Sequence, residues 1–466
     1  MRSDNPYRGS TRTSEDSDSD HHGRVSENVV LNQGKDDDPA RSRLTIVGYR
    51  FSPQSHQTLD FLARNCVAFE WLDVERDEEA RRLLNENGGV TSRLPLVRFP
   101  DGTVMSQPSD AQIAEKIGLK TRPGGAFYDL VIVGGGPAGL AAAVYGASEG
   151  LSVVMVERVA PGGQAGLSAM IENYLGFPEG LTGADLARRA IAQAQKFKVE
   201  MVTPQVVSGL RLESTARVAT LKDGKDLRCQ VVLLAMGVEW RTLDVPGIDR
   251  LTGAGVYYGG TIADAFICRN EDVYIVGGAN SAGQAAMHFS RYAKTVTMLV
   301  RGDSLSKSMS RYLMEQIQVT RNIQVRLNTR VAEAHGDDRL EAITIVDDAT
   351  GVKDTIPTHA LFIFIGATPH TEYLEGVVDR DRRGFILTGP DLPARPSGWT
   401  LARHPFHLET SVPGIFAAGD VRCGSVKRVA AAVGEGASAV QFIHSYLDST
   451  ASPRPLASIS LSGAAG

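Results

Sequence analysis

The feature that most constrains the fold is an apolar run that leads directly into a glycine-rich turn and then into a helical segment. Residues 128–133 read YDLVIV, and GGGPAG and LAAAVYGASEG follow. A buried strand, a turn with spaced glycines and a helix form the βα unit that binds the pyrophosphate of a dinucleotide. In that unit Gly134 permits the tight turn, Gly136 lets the backbone approach the phosphates, and Gly139 lets the helix pack close to the strand.

An acidic residue completes this pattern. The segment 151–157, LSVVMVE, is a second strand that ends at Glu157, twenty-one residues after Gly136. An acid at this place accepts hydrogen bonds from a ribose diol, while the helix N-terminus faces the phosphates. Four parts of the pattern agree, which argues against a fortuitous glycine-rich turn. The predicted residues of this dinucleotide site are Gly134, Gly136, Pro137, Ala138, Gly139 and Glu157.

A second unit of the same kind begins at residue 272. Residues 272–276, DVYIV, run into GGANSA, where Ala279 replaces the second glycine and its methyl group crowds the approach of a pyrophosphate. The next strand, TVTMLV, ends at Arg301, whose guanidinium suits a 2′-phosphate better than a free ribose diol. The alternative interpretation of Arg301 is a solvated charge at the end of a strand. We therefore predict an NADPH site, with NADPH preferred over NADH. Its predicted residues are Gly277, Gly278, Asn280, Ser281, Ala282 and Arg301.

The chain before these units divides into two parts. Residues 1–40 carry almost no large apolar side chains and are predicted to be a disordered tail. Residues 41–120 follow the order β-α-β-α-β-β-α, which resembles a glutaredoxin or small thioredoxin-like domain with Leu94-Pro95 at that family's cis-proline. The family's CPxC motif falls on Ser52-Pro53-Gln54-Ser55, where both cysteines are absent. Serine hydroxyls cannot exchange disulfides, so this domain is predicted to be a docking or structural module.

Three further motifs follow a linker at 121–126. They are PGGQ at 161–164, IENYLGFP at 171–178 and GIFAAGD at 414–420. On these motifs residues 127–450 resemble the low-molecular-weight thioredoxin reductases, which implies that the chain binds FAD. The residues that the resemblance places at the FAD are Gly162, Gly163, Gln164, Asn173, Gly419, Asp420, Val421, Lys427, Arg428 and Val429. The last three stand where the family has YRQ, so the arginine is retained and the glutamine is not.

The resemblance also identifies what the chain lacks. Members of the family carry a CxxC-Asp motif before the second glycine turn, whereas this sequence has Gly259 and Ile262 at the cysteine positions and Ala263 at the acid. Asp264 is the candidate proton donor, although one residue further along a helix it should point about 100° away. Without a dithiol, electrons would pass from NADPH through FAD to an external acceptor, which could be a disulfide, a quinone or an electron-carrier protein. The alternative is a flavin-bound redox sensor or interaction protein with little turnover.

Composition limits the possible binding partners and the cellular location of the protein. The formal net charge is -5 and no basic run is present, which argues against a nucleic-acid partner. Cys66, Cys229, Cys268 and Cys423 are too scattered for a disulfide framework or a sequence-adjacent metal site, and no metal is expected. No apolar segment is long enough to span a bilayer, so a cytoplasmic protein is expected. The resemblance implies a homodimer.

These observations predict an α/β fold class. Two doubly wound Rossmann-type nucleotide-binding domains, with the NADPH domain inserted in the FAD domain, would follow an N-terminal thioredoxin-like α/β domain. The predicted boundaries are 127–244 and 363–451 for the two halves of the FAD domain, 245–362 for the NADPH domain, and 452–466 for a flexible tail.

Overall fold

The computed structural model describes residues 43–168, 170–213, 216–259, 268–393, 395–396 and 399–450. The candidate proton donor Asp264 and both predicted tails lie outside these residues. Among the helices of the described ranges, none is long and apolar enough to cross a membrane.

The N-terminal part forms a four-stranded sheet with helices, in the order expected from the sequence. Its elements are β1 (Leu44–Gly48), α1 (Pro53–Arg64), β2 (Phe69–Asp73), α2 (Glu78–Glu86), β3 (Leu96–Arg98), β4 (Val104–Ser106) and α3 (Asp110–Lys116). The sheet order is β2-β1-β3-β4, with β1 and β2 parallel. Helix α1 begins at Pro53, where the hydroxyl of Ser52 accepts a hydrogen bond from the Ser55 amide at 3.3 Å. The Leu94–Pro95 peptide is cis, which confirms that expectation.

The second sheet is built around the strand that precedes the first glycine turn. Its elements are β5 (Phe127–Val133), α4 (Pro137–Ser148), β6 (Val153–Val156), α5 (Gly183–Lys196), β7 (Glu200–Val202), β8 (Val207–Glu213), β9 (Ala216–Leu221) and β10 (Asp226–Leu234). The strand order is β7-β6-β5-β10-β9-β8, and β5 is parallel to both of its neighbours. Leu130 and Ile132 contact one apolar cluster and Val131 and Val133 another, so β5 is buried on both faces. A strand covered on both faces has a continuous apolar sequence, which explains why YDLVIV shows little alternation.

The second nucleotide unit has its own parallel sheet. Its elements are β11 (Glu239–Trp240), α6 (Ile248–Leu251), β12 (Val256–Tyr258), β13 (Asp272–Val276), α7 (Asn280–Phe289), β14 (Thr295–Leu299), α8 (Arg311–Val319), β15 (Ile323–Arg326), β16 (Thr329–His335), β17 (Ala342–Asp347), β18 (Lys353–Pro357), β19 (Ala360–Ile363) and β20 (Ala367–Thr368). The parallel sheet has the order β12-β19-β13-β14-β15, and β16, β17 and β18 form a separate antiparallel sheet. Such a doubly wound sheet binds ligands at the carboxyl ends of its strands.

The chain leaves the first domain and returns to it through two short strands. β11 and β20 pair antiparallel at these crossings, a few residues from the predicted boundaries at 244 and 363. After β20, strand β21 (Ile415–Ala417) pairs in parallel with β10 of the second sheet. The final described helix, α9 (Val429–Thr450), then packs against α4. The architecture is therefore α/β with two Rossmann-type domains, the second inserted within the first.

Candidate active site

A cavity of about 340 Å³ lies at the carboxyl ends of β5, β6 and β10. It brings together residues that the sequence predicted from three separate stretches of the chain. The predicted residues that line it are Gly134, Gly136, Pro137, Ala138, Glu157, Gly163, Gln164, Ser281, Gly419, Asp420, Lys427, Arg428 and Val429. Because polar groups converge on one concave region beside apolar walls, this cavity is the candidate active site.

The first glycine turn forms one wall of the cavity and is shaped to accept a pyrophosphate. Gly134 has a φ of +103°, in the region that favours glycine. A Cβ at Gly136 would extend into open space, with the Cα of Gly163 as its nearest neighbour at 3.9 Å, so the absent side chain leaves room for a ligand. Helix α4 begins at the next residue without a side-chain cap, which leaves its first amides for an anion.

Glu157 is held beside this turn by backbone amides. Its carboxylate accepts hydrogen bonds from the amide of Gly135 at 2.6 Å and from that of Val159 at 3.0 Å. The two oxygens of a carboxylate can accept more than two hydrogen bonds, so Glu157 can also accept a hydrogen bond from a ribose hydroxyl. These observations fit an FAD whose adenosine end lies at Glu157 and whose pyrophosphate lies at α4.

The GIFAAGD segment forms the adjoining wall, since a Cβ at Gly419 would lie 3.0 Å from the Cβ of Ala138 at the start of α4. Burial raises the pKa of the Asp420 carboxyl, and the nearby charge of Lys427 partly offsets that effect. Lys427 donates from Nζ to the Asp420 carbonyl at 2.5 Å and to the Ser425 hydroxyl at 2.9 Å, and it lies 4.5 Å from the centre of the Phe385 ring. The amide of Gly419 donates to Glu435 of α9 at 2.7 Å. The loop is thus tied to α9 while the carboxylate of Asp420 lines the cavity.

Helix α7 of the second nucleotide unit closes the cavity from the other domain. Ser281, Gln284, Ala285, His288 and Phe289 line it, at the spacing of one helical face. Phe364, which follows β19, lines the cavity beside them. The two nucleotide units therefore share one cavity.

The other residues predicted for the second nucleotide site shape its turn but do not line this cavity. Gly277 and Gly278 form the turn before α7, and Ala282 is buried. The side-chain oxygen of Asn280 accepts a hydrogen bond from the Ser310 amide at 2.7 Å, which fastens the turn to the next loop. Arg301 is exposed two residues after the end of β14.

Several predicted flavin-site residues lie elsewhere. Asn173 is exposed and does not line the cavity, since the IENYLGFP segment turns outward after Ile171. Gly139, Gly162 and Val421 contribute to the surrounding backbone and core instead. Gly259, which the resemblance aligns with the first cysteine of the family's CxxC, packs on Trp240, such that a Cβ there would lie 2.8 Å from the indole nitrogen. Trp240 lines the cavity, so this position is next to the cavity wall.

Sequence reasoning also missed residues that the fold brings to the cavity. Met236 to Trp240 follow β10 as the glycine turn follows β5, and the rule that sites form at carboxyl ends of parallel strands could have found them. Arg158 forms an ion pair with Glu239, and His370 lies 3.9 Å from the same carboxylate. Arg64 of the N-terminal domain also lines the cavity, and the sequence contains no local signal for it.

Comparison with known proteins agrees with this geometry. The family model of pyridine nucleotide-disulphide oxidoreductases matches residues 128–436. The chain belongs to this family. It is accordingly an NAD(P)H-dependent flavoprotein oxidoreductase of the thioredoxin reductase-like type, with FAD and NADPH as its cofactors.

Individual members of the family are similar over the same region. Thioredoxin reductase of Bacillus subtilis (strain 168) is 31% identical over 327 residues, which cover 69% of this chain and 95% of the relative. Thioredoxin reductase of Streptomyces clavuligerus is 32% identical over 332 residues, or 71% of this chain and 97% of the relative. The crystal structure of Lactococcus lactis thioredoxin reductase in its FR conformation superposes with a TM-score of 0.62 and 28% identity, covering 69% of this chain and 99% of that one. The oxidoreductase family match therefore begins after the N-terminal domain.

Proposed function

We propose that this oxidoreductase passes electrons from NADPH through FAD directly to an external acceptor, without an internal dithiol. The observation that carries the proposal is that α7 of the second nucleotide unit and the loops of the flavin site line one cavity. A bound FAD would supply the chemistry that takes up a hydride from NADPH and passes electrons on to the acceptor. An acceptor that reaches this cavity needs no relay through the protein.

The cysteines support direct transfer. Cys229 and Cys268 are buried, and burial raises the pKa of the Cys229 thiol to about 12. Burial also raises the pKa of Cys66 and of Cys423. A thiol reacts with a disulfide as its thiolate, so each of these three thiols is less reactive than an ordinary cysteine at neutral pH. The positions of the family's dithiol hold Gly259 and Ile262.

The chain's own residues would bind, orient and shield the reactants. The N-terminus of α4 and Glu157 would hold the pyrophosphate and ribose of FAD. Ser281 and Gln284 offer a hydroxyl and an amide at the cavity and would orient the nicotinamide. Phe289 and Phe364 are apolar walls that exclude water. His288 lines the cavity on the same face of α7 as Ser281 and Gln284.

An anaerobic stopped-flow titration tests this function. The flavin-loaded protein is mixed with NADPH and separately with NADH, and the oxidised flavin band is followed. Fast bleaching by NADPH, followed by steady turnover with a disulfide, a quinone or an electron-carrier protein, is the expected result. Bleaching without turnover by any of the three classes would favour the sensor hypothesis. No bleaching by either nucleotide would contradict the proposed function.

We further propose that the N-terminal domain is a thioredoxin-like module that braces the two nucleotide domains. On the side of the second domain, Nη1 of Arg50 lies 3.1 Å from Oε1 of Glu271. The rings of His56 and Tyr257 lie 4.6 Å apart between centroids. These contacts place the start of α1, where the thiol motif would be, against the second nucleotide domain.

The other end of α1 contacts the first nucleotide domain. The side-chain amide of Asn65, directly after α1, donates to the carbonyl of Val159 at 3.2 Å. Cys66 and Arg64 line a small cavity with Pro161 and Gly163 of the PGGQ loop. Helix α1 therefore contacts both domains, which the chain also joins at the paired strands β11 and β20. The contacts of the N-terminal domain with both nucleotide domains would hold them in the arrangement in which α7 faces the flavin cavity.

The remaining expectations stay proposals. They are the domain boundaries, the preference of Arg301 for NADPH over NADH, the homodimer and the cytoplasmic location. A candidate role for Asp264 also stays a prediction, because that residue lies outside the described part of the chain.

A further inference from the structure

The N-terminal domain contributes a charged side chain to the cofactor cavity. Arg64 is the last residue of α1 and lines this cavity together with Gly136, Gly163 and Gln164. It precedes the region matched by the oxidoreductase family, which begins at residue 128. The cavity is therefore built from three domains of the chain, and one cation at its wall comes from outside the reductase core.

The guanidinium of Arg64 keeps most of its hydrogen-bonding capacity. Its side chain is 18% exposed, and its ion pair with Oδ2 of Asp60, one helical turn earlier, has a separation of 3.6 Å. Within the described part of the chain, no hydrogen bond of this guanidinium is found. A guanidinium has five N–H donors in a planar fork that suits a phosphate.

Other cations at the cavity are engaged by the protein, and one of them, Arg428, donates to the carbonyl of Lys427 at 3.0 Å. Arg158 is paired with the carboxylate of Glu239. Lys427 donates to the Asp420 carbonyl and the Ser425 hydroxyl. Arg64 is thus a cation that reaches the cavity with donors left for a ligand.

The neighbours of Arg64 indicate which part of a ligand it would meet. Gly163 lines the small cavity beside Arg64 as well as the main one. A Cβ on Gly163 would lie 2.8 Å from the Cα of Gly136, so the two glycines are in close contact. Gly136 is the residue at which the turn leaves room for a pyrophosphate. Arg64 therefore lies on the side of the cavity where the anionic part of FAD would be.

We propose that Arg64 is an FAD-binding residue, supplied by the N-terminal domain, that donates charge-assisted hydrogen bonds to the pyrophosphate of the cofactor. The domain that lacks its own redox cysteines is then needed to retain the flavin. Arg64 acts on binding and leaves the electron transfer itself to the flavin and its acceptor.

The test compares four full-length proteins: wild type, Arg64→Gln, Arg64→Lys and the control Arg82→Gln. Arg82 is in α2 of the same domain with a 65% exposed side chain, and it pairs only with glutamates of its own helix among the described residues. Each protein is deflavinated and titrated with FAD while flavin fluorescence is followed. Circular dichroism of the flavin-free proteins checks that all four are folded.

Arg64→Gln should weaken FAD binding about tenfold or more, which is what the loss of a charge-assisted hydrogen bond implies. Arg64→Lys should recover part of that loss, because lysine keeps the positive charge but lacks the planar set of N–H donors of a guanidinium. Arg82→Gln should bind FAD as the wild type does. If Arg64→Gln is folded and its FAD affinity equals that of the wild type, the proposal is overturned. It is equally overturned if Arg82→Gln weakens binding as much, since the effect would then come from the domain's overall charge.

Discussion

Replacing Glu271 with glutamine should loosen the N-terminal domain from the second nucleotide domain. The Arg50 side chain is only 4% exposed, and its Nη1 lies 3.1 Å from Oε1 of Glu271, whose side chain is 25% exposed. Burial lowers the pKa of Arg50, as does the nearby charge of Arg76, whereas Glu271 raises it. The glutamate is therefore the group that compensates a buried cation.

The size of the effect follows from the burial of the pair. Removing one partner of a buried ion pair costs about 3–5 kcal/mol. Glu271 is partly exposed and glutamine keeps an acceptor oxygen, so we expect about 1–3 kcal/mol for Glu271→Gln. That loss corresponds to a roughly five- to 150-fold larger population of the undocked state.

Hydrogen exchange followed by mass spectrometry measures this opening directly. The peptide that contains α1 should exchange faster in Glu271→Gln, while Glu86→Gln, at an exposed position of α2, should leave it unchanged. In the double variant with Arg50→Met, much of the loss should be recovered, since no buried cation is left without its carboxylate. Unchanged exchange in Glu271→Gln, or strictly additive effects in the double variant, would refute the brace.

Three further predictions concern the cofactor sites and the thiols. The side chain of Gly136→Val fills the open space before α4, so this variant should purify without the yellow colour of bound flavin. Gly434→Ala is the control and should stay yellow, because no atom lies within 4 Å of a Cβ at that position. Arg301→Ala should raise the KM for NADPH about tenfold and leave the KM for NADH unchanged, because a charge-assisted contact with the 2′-phosphate is lost. Arg311→Ala, at an exposed position of α8, is the control. An equal rise of KM for both nucleotides would contradict the assignment of Arg301. Because burial raises the pKa of Cys229 to about 12, its thiol should resist alkylation in the native protein at pH 8 and react only after unfolding. Mass spectrometry of the peptide that contains Cys229 measures this, and alkylation in the native protein would contradict the prediction.

Local patterns in the sequence predicted the elements of the fold well. The run YDLVIV followed by spaced glycines is a strand, a turn with a positive φ at Gly134, and a helix that begins at Pro137. The order of strands and helices in residues 41–120 was also predicted, including the cis peptide at Pro95. These features depend on interactions within a few residues, which are visible in the sequence.

Side chains that act through distant neighbours were harder to predict. Asn173 is in a motif that resembles the family, yet its side chain is exposed here. Ser281 was expected to bind a nucleotide, but its place in the flavin cavity, with Gln284 and His288 on the same helical face, depends on how the two nucleotide domains pack. A motif identifies a residue without fixing what packs beside it.

The sequence by itself determined the two nucleotide-binding turns and the cofactor class, because glycine spacing and helical and strand periodicity are local properties. Only the tertiary structure decided that α1 and its flanking residues contact both nucleotide domains, that Arg50 pairs with Glu271 more than two hundred residues away, and that Arg64 lines the cofactor cavity. Contacts between domains depend on the relative orientation of whole sheets, and no short segment of the sequence carries that information.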